Sequence, residues 1–175
     1  MFTNKSEKIT FSYNASDVFN DICLMSAYMA KSLSNDAAAI DEFSITEDER
    51  ELYDVCVKQA LPNIYEVMVK MSMGIDNAFS SDVKVEDKEN DPLNREVGTY
   101  IELNVVNNNA YNSNALSIVD STINDCIKYG VLAEFYAMNI NIELQKIAQS
   151  KLNNSLSQLK NRLFQLKKKT MSSLL

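Results

Sequence analysis

A chain of 175 residues with 46% apolar content is long enough to bury one core, and too apolar for wholesale disorder. Its formal charge of −7 argues against generic affinity for nucleic acid, which needs a net basic face. The complete absence of histidine removes Ser-His-Asp and Cys-His nucleophiles, histidine zinc sites and carboxylate-histidine di-iron bundles together.

The first ten residues are polar and lack an apolar h-region, so no signal peptide is expected, and nowhere do 18 consecutive apolar residues suggest a membrane span. Lys8 to Tyr13 alternates apolar and polar residues, as a short half-buried strand does. Asn14 is placed to cap a following helix, with Asp17 in its first turn where an anion suits the positive end of the helix dipole. Val18, Ile22, Met25, Met29 and Leu33 trace one face of that helix, and Ser34-Asn35-Asp36 can end it. Thr46 and Glu49 have the spacing of a capping box ahead of a second helix. Its stripe is Tyr53, Cys56, Ala60, Ile64, Val67, Met68 and Met71. Pro62 should kink it, and Gly74 suits its C-terminal turn.

From Ser80 to Gly98 the chain is polar and acidic. Val83 and Val85, with Ile101, Leu103 and Val105, predict a β-hairpin with a long loop. Such a ribbon must lie on helices, pair with the N-terminal strand, or add to another chain. A polar Asn-rich connector leads to a third helix, with Leu116, Val119, Ile123, Ile127, Val131, Phe135, Met138 and Ile142 in register. Gly130 inside it costs about 1 kcal/mol relative to Ala, and points to close approach of a neighbouring helix. A break is expected near Asn139, before a last helix to Lys169 carrying Leu152, Leu156, Leu159, Leu163 and Leu166. Gln145 and Gln149 interrupt that seam upstream, which favours packing within the chain over a coiled coil between chains.

The expected fold is therefore mainly α, within α+β: one domain over 1–175, a bundle of about four helices with a short N-terminal strand and a protruding β-hairpin. Its parts are a strand at 8–13, a first helical part at 14–74, a hairpin and acidic loop at 80–106, a C-terminal helical hairpin at 114–169 and a tail at 170–175.

Few residues nominate chemistry. Cys23, Cys56 and Cys126 are scattered at helical positions, with no CxxC pair, and read as reduced core thiols of an intracellular protein. Asp87, Glu89 and Asp91 match the 1, 3 and 5 spacing of a calcium loop, but Pro92 and Gly98 stand where the loop needs its Gly and bidentate Glu. The segment reads as a solvated acidic loop, and no metal is assigned. No phosphate-cradling glycine loop exists, so no nucleotide and no cofactor is expected. Glu134 reads as a polar-side residue. Lysine- or carboxylate-only chemistry survives in principle, without a nominated pair, and the expectation is a protein that is not an enzyme.

Charge segregation is the main functional signal. All 24 acidic residues precede Gln145, against 10 basic ones, a net of −14; the remaining 31 residues carry seven basic residues and no acid. Lys160, Arg162, Lys167, Lys168 and Lys169 form the basic end. They can complement the helix dipole, dock on an acidic partner or on a neighbouring copy's Glu47-Asp48-Glu49, or touch nucleic acid. Together with Ile101, Leu103 and Val105 as a strand for addition to a neighbour, these residues are the candidate interface.

The segment Tyr129-Gly-Val-Leu-Ala-Glu-Phe-Tyr136, followed by Leu152-Asn-Asn-Ser-Leu-Ser-Gln-Leu159 and Lys160-Asn-Arg-Leu163, is similar to the C-terminal halves of crAss-like phage virion proteins. The order of elements over roughly Asp48 to Lys169 resembles the helical head-to-tail connector, or adaptor, proteins of tailed bacteriophages. That resemblance implies a non-enzymatic homo-oligomeric ring, commonly dodecameric, in contact with the portal and adjacent tail or ring proteins. DNA would be only a passing, non-specific neighbour in its channel, with no membrane and no small-molecule substrate. The protein would be located in the virion after assembly in the bacterial host cytoplasm. The alternative is a small cytoplasmic helical regulatory or adaptor protein binding an acidic partner through its basic C-terminal helix.

Overall fold

Two strands far apart in sequence clasp the start of a helical bundle. In the computed structural model, which describes residues 7–72, 100–107 and 113–172, strand β1 (Glu7–Asn14) pairs antiparallel with β2 (Tyr100–Asn107). Phe11 lies opposite Leu103 and Tyr13 opposite Ile101, and all four side chains are buried against the helices. A lone two-stranded ribbon is marginal in water, so this apolar face anchors it. Of the alternatives open to this strand, pairing with the N-terminal strand is the one the fold takes. Val83, Val85, the Asp87–Asp91 spacing and Gly74 lie outside the described residues.

Helix α1 (Ala15–Leu33) begins as its sequence predicts, with Asn14 Oδ1 accepting from the amides of Ser16 at 2.9 Å and Asp17 at 3.2 Å. Val18, Phe19, Ile22, Ser26 and Ala30 form its buried face, while Leu33 is exposed. Asp36 then caps a short helix that the periodicity did not reveal, α2 (Ala37–Phe43), by accepting from the Ala38 amide. One 3-10 turn at Glu47–Glu49 leads into α3 (Arg50–Ser72). There the Glu49 carboxylate accepts from the Thr46 amide at 2.6 Å and its hydroxyl at 2.7 Å, completing the expected capping box. Pro62 sits inside α3 on its exposed side, and the helix continues through it.

Helices α4 (Ser113–Met138) and α5 (Ile142–Ser172) form a long antiparallel hairpin that α3 packs across. A Cβ built on Gly130 of α4 would stand 2.8 Å from Ala60 Cβ of α3 and 3.8 Å from Leu152 Cδ1 of α5, so the glycine permits a close approach of α3 to α4. The buried face of α5 runs through Leu144, Ala148, Leu152, Ser155, Leu159 and Leu163. The leucine seam is accordingly intramolecular, and Gln145 and Gln149 do not break it, because Leu144 and Ala148 carry the register past them.

The turn between α4 and α5 is well defined. The Asn141 amide donates to the Tyr136 carbonyl at 2.9 Å and the Ile140 amide to the Ala137 carbonyl at 3.3 Å, the paired bonds of a Schellman motif. Asn141 Oδ1 accepts from the Leu144 amide and starts α5. Ile140 occupies the left-handed position of this motif, with φ of 55°. A stripe expected to stay in the core through Met138 and Ile142 instead leaves it there: Met138, Ile140 and Ile142 are all exposed.

Candidate interaction surface

Three contacts fix the direction of α1 against α4. The Tyr13 hydroxyl donates to Asp120 Oδ1 at 2.6 Å, Lys128 Nζ pairs with Asp21 Oδ2 at 2.6 Å, and the Tyr136 hydroxyl reaches the Ser26 carbonyl at 3.4 Å. The two helices therefore run the same way, and the C-terminal end of α1 lies beside the α4–α5 turn. Ser26 Oγ also accepts from the Ile45 amide at 2.8 Å, which brings the Glu47–Glu49 turn to the same end. Helix α5 returns in the opposite direction: Leu152 meets Gly130, and Arg162 donates to the Ile118 carbonyl at 2.7 Å and to Thr122 Oγ1. Its last turns, with Lys167, Lys168 and Lys169, lie at the far end, beside the start of α4.

The molecule consequently has two unlike ends about 40 Å apart, the length of a 26-residue helix. At the turn end stand Asp36, Asp41, Glu42, Glu47, Asp48 and Glu143, all exposed, against Lys31, Arg50 and Lys146. Arg50 is further engaged, its guanidinium 4.2 Å from the Phe19 ring centroid. At the other end stand Lys160, Arg162 and the three C-terminal lysines, together with the exposed acids Asp17 and Asp120.

The structure sorts the predicted interface residues. Lys160, Glu47 and Asp48 are exposed and free to meet a partner. Glu49 is half-buried and held in its capping box. Arg162 is bound to the α4 backbone, so it ties the hairpin together and is not a free docking cation. Ile101 at 4% and Leu103 at 0% exposure are core residues whose side chains face the helices. Val105 stands opposite Ile9 in the ladder. The basic residues and Glu47-Asp48-Glu49 are not brought together within one chain.

Chemistry inside the bundle is muted. Burial pushes the Cys56 thiol up to about 11, with Glu134 adding to the effect, and the Cys126 thiol up to about 12, with Asp125 adding. Both are thus protonated at neutral pH and poor nucleophiles. Burial also raises the Tyr13 phenol, helped by its hydrogen bond to Asp120. Glu134 is half-buried on α4. Among the described residues no three His, Cys, Asp or Glu side chains converge to hold a metal ion, and no helix is long and apolar enough to cross a membrane.

Sequence reasoning missed the exposed apolar side chains. Besides the turn, Leu24 and Tyr28 on α1, Ile118 on α4 and Phe164 on α5 are between 56% and 73% exposed. The Asn139-Ile140-Asn141 run marks the break, yet periodicity cannot say that the flanking apolar residues face outward. No protein-family model matches the chain, and neither the curated proteins nor the solved structures yield a match.

Proposed function

We propose that this chain is a structural assembly protein: a subunit that docks on its own copies and on neighbouring proteins, in the head-to-tail connector or tail of a tailed phage. The observation that carries the reading is the segregation of charge: a net of −14 before Gln145, and from Gln145 on seven basic residues and no acid, all seven on α5. An acidic body and a basic last helix on one subunit favour contacts between unlike surfaces, and such contacts close into rings when the rotation permits. A ring of these subunits around a DNA channel would be suited to its task by the net of −14 before Gln145, which repels phosphate and lets DNA pass without sticking. The same net acidity disfavours a nucleic-acid-binding role for the tail.

A second reading, a regulatory adaptor with an acidic partner, draws on the exposed Lys160 and the three lysines beyond it. Deleting Lys167 to Leu175 separates the two. In the assembly reading, oligomers seen by mass photometry shrink or vanish on deletion. Oligomers of undiminished size, together with lost binding to an acidic partner protein, would replace that reading with the regulatory one.

A further inference from the structure

We infer that the outer edge of β1 is a pairing edge, and that β1 of a second copy of this chain lies along it as an antiparallel neighbour. Among the described residues the sheet has two strands, so β1 and β2 each pair along one edge only. No backbone hydrogen bond reaches the other edge of β1 from any described residue. That edge presents the amide and carbonyl of every second residue, a row of alternating donors and acceptors that another extended chain pairs. Natural sheets blunt such edges with proline, a bulge, added charge or a very short strand. β1 is eight residues long, holds no proline, and matches β2 one residue to one without a bulge. Its last charge is Lys8, so Ile9 to Tyr13 is an uncharged run. The edge is also held in place, because Phe11 and Tyr13 are buried and the Tyr13 hydroxyl is bonded to Asp120.

The strand's own sequence selects the occupant. A two-fold axis through Phe11, perpendicular to the sheet, sets Phe11 opposite the second copy's Phe11. It also sets Ile9 opposite Tyr13, Thr10 opposite Ser12 and Lys8 opposite Asn14. Positions 9, 11 and 13 share one face of the ladder, so this register continues the helix-facing side of one ribbon into that of the other. It places no like charges together. Moving the axis to Thr10 pairs charged Glu7 with Tyr13, so the alternation favours Phe11. α1 follows directly after Asn14, and antiparallel pairing therefore sends the two first helices away from opposite ends of the joined strands. The product is a four-stranded sheet in the order β2-β1-β1-β2, which is less marginal than a lone ribbon. This contact is isologous and closes at a dimer. It goes beyond the assembly reading above, needs no opposite charges, and leaves the basic last helix to other contacts.

The test is Thr10→Lys combined with Ser12→Lys in the full chain. In the chain's own ladder these positions stand opposite Asn104 and Glu102, which suit a lysine, whereas across the two-fold they set lysine opposite lysine twice. Hydrogen exchange of the β1 amides by NMR, alongside sedimentation velocity, reads the contact. Wild type is expected to gain protection at every second β1 amide as dimers form with rising concentration, equally at about 50 mM and about 500 mM salt. The variant, with native circular dichroism, should need about tenfold higher concentration at about 50 mM salt and recover at about 500 mM, where the repulsion is screened. Salt thus acts on the variant in the opposite sense to assembly through the basic last helix. Outer-edge amides of β1 that stay unprotected at every concentration overturn the contact, as does protection already complete in the monomer, or a variant that dimerises like wild type. Salt-sensitive oligomers seen beside any of these leave the assembly reading standing. Dimers paired through β1, with nothing larger in low salt, support the contact and sink the ring instead.

Discussion

Gly130→Ala tests the close crossing of α3 and α4. Ala is a better helix former than Gly by about 1 kcal/mol, so at an exposed site in a 26-residue helix the substitution would stabilise. Here the new Cβ would stand 2.8 Å from Ala60 Cβ, about 1 Å inside the usual carbon–carbon separation. Neither atom can rotate away, because both are fixed to helix backbones; α3 and α4 must move apart, and Leu152, at 3.8 Å, must follow. Overpacking of this kind costs roughly 1–3 kcal/mol, which exceeds the propensity gain. The net expectation is destabilisation by about 1 kcal/mol, a fall of roughly 2–4 °C in Tm. Urea denaturation followed by circular dichroism measures it. A companion change, Ala60→Gly, should be destabilising alone but should relieve Gly130→Ala, giving a favourable coupling of about 1 kcal/mol in a double-mutant cycle. Stabilisation by Gly130→Ala alone, or strict additivity of the two changes, would refute the crossing.

Four further outcomes follow from the same geometry. Ile140→Gly or Ile140→Asn should raise stability by about 1 kcal/mol, read as a higher urea midpoint, because a left-handed β-branched residue is relieved. Tyr53→Phe should be neutral or stabilising in thermal melts, since its hydroxyl is buried without a partner while its ring packs edge-on against Phe19 at 4.9 Å. Tyr13→Phe should instead destabilise by about 1.5–3 kcal/mol, because it strips the bond to the Asp120 carboxylate and loosens β1 from α4. The buried thiols set an alkaline limit. Their pKa is raised from an ordinary 9.0 to about 11 at Cys56 and about 12 at Cys126, so their contribution is complete below pH 9 and is lost as pH climbs to about 12. Urea midpoints should decline across that window, and Cys126→Ala should flatten the decline.

Local signals in this chain were legible where one residue does one job. Asn14, the Thr46–Glu49 pair and the glycine in the third helical pattern each announced a cap or a close approach, and each performs it. Helix α2 was hidden because Asp36 serves as both the stop after α1 and the cap of the next helix, and seven residues are too few to show a periodic face. The direction of the strand pairing was equally unreadable, since Phe11, Tyr13, Ile101 and Leu103 alternate alike whichever neighbour they face. At the candidate site the cations were visible in composition. Their place at the end of the bundle away from the α4–α5 turn required the course of α4 and α5. Arg162 looked like one more docking cation until its bond to the Ile118 carbonyl placed it inside the hairpin. The apolar turn was obscured because Met138 and Ile142 continue a core stripe in sequence, while the Schellman turn swings them outward.

The most direct measurement is the mass of the purified full-length chain in solution as a function of concentration and salt. Assembly of the basic last helix on an acidic body predicts species above 19.8 kDa that grow with concentration and recede as ionic strength rises from about 50 mM to about 500 mM, where screening shortens the reach of the charges. A single 19.8 kDa species at every concentration in low salt would contradict it.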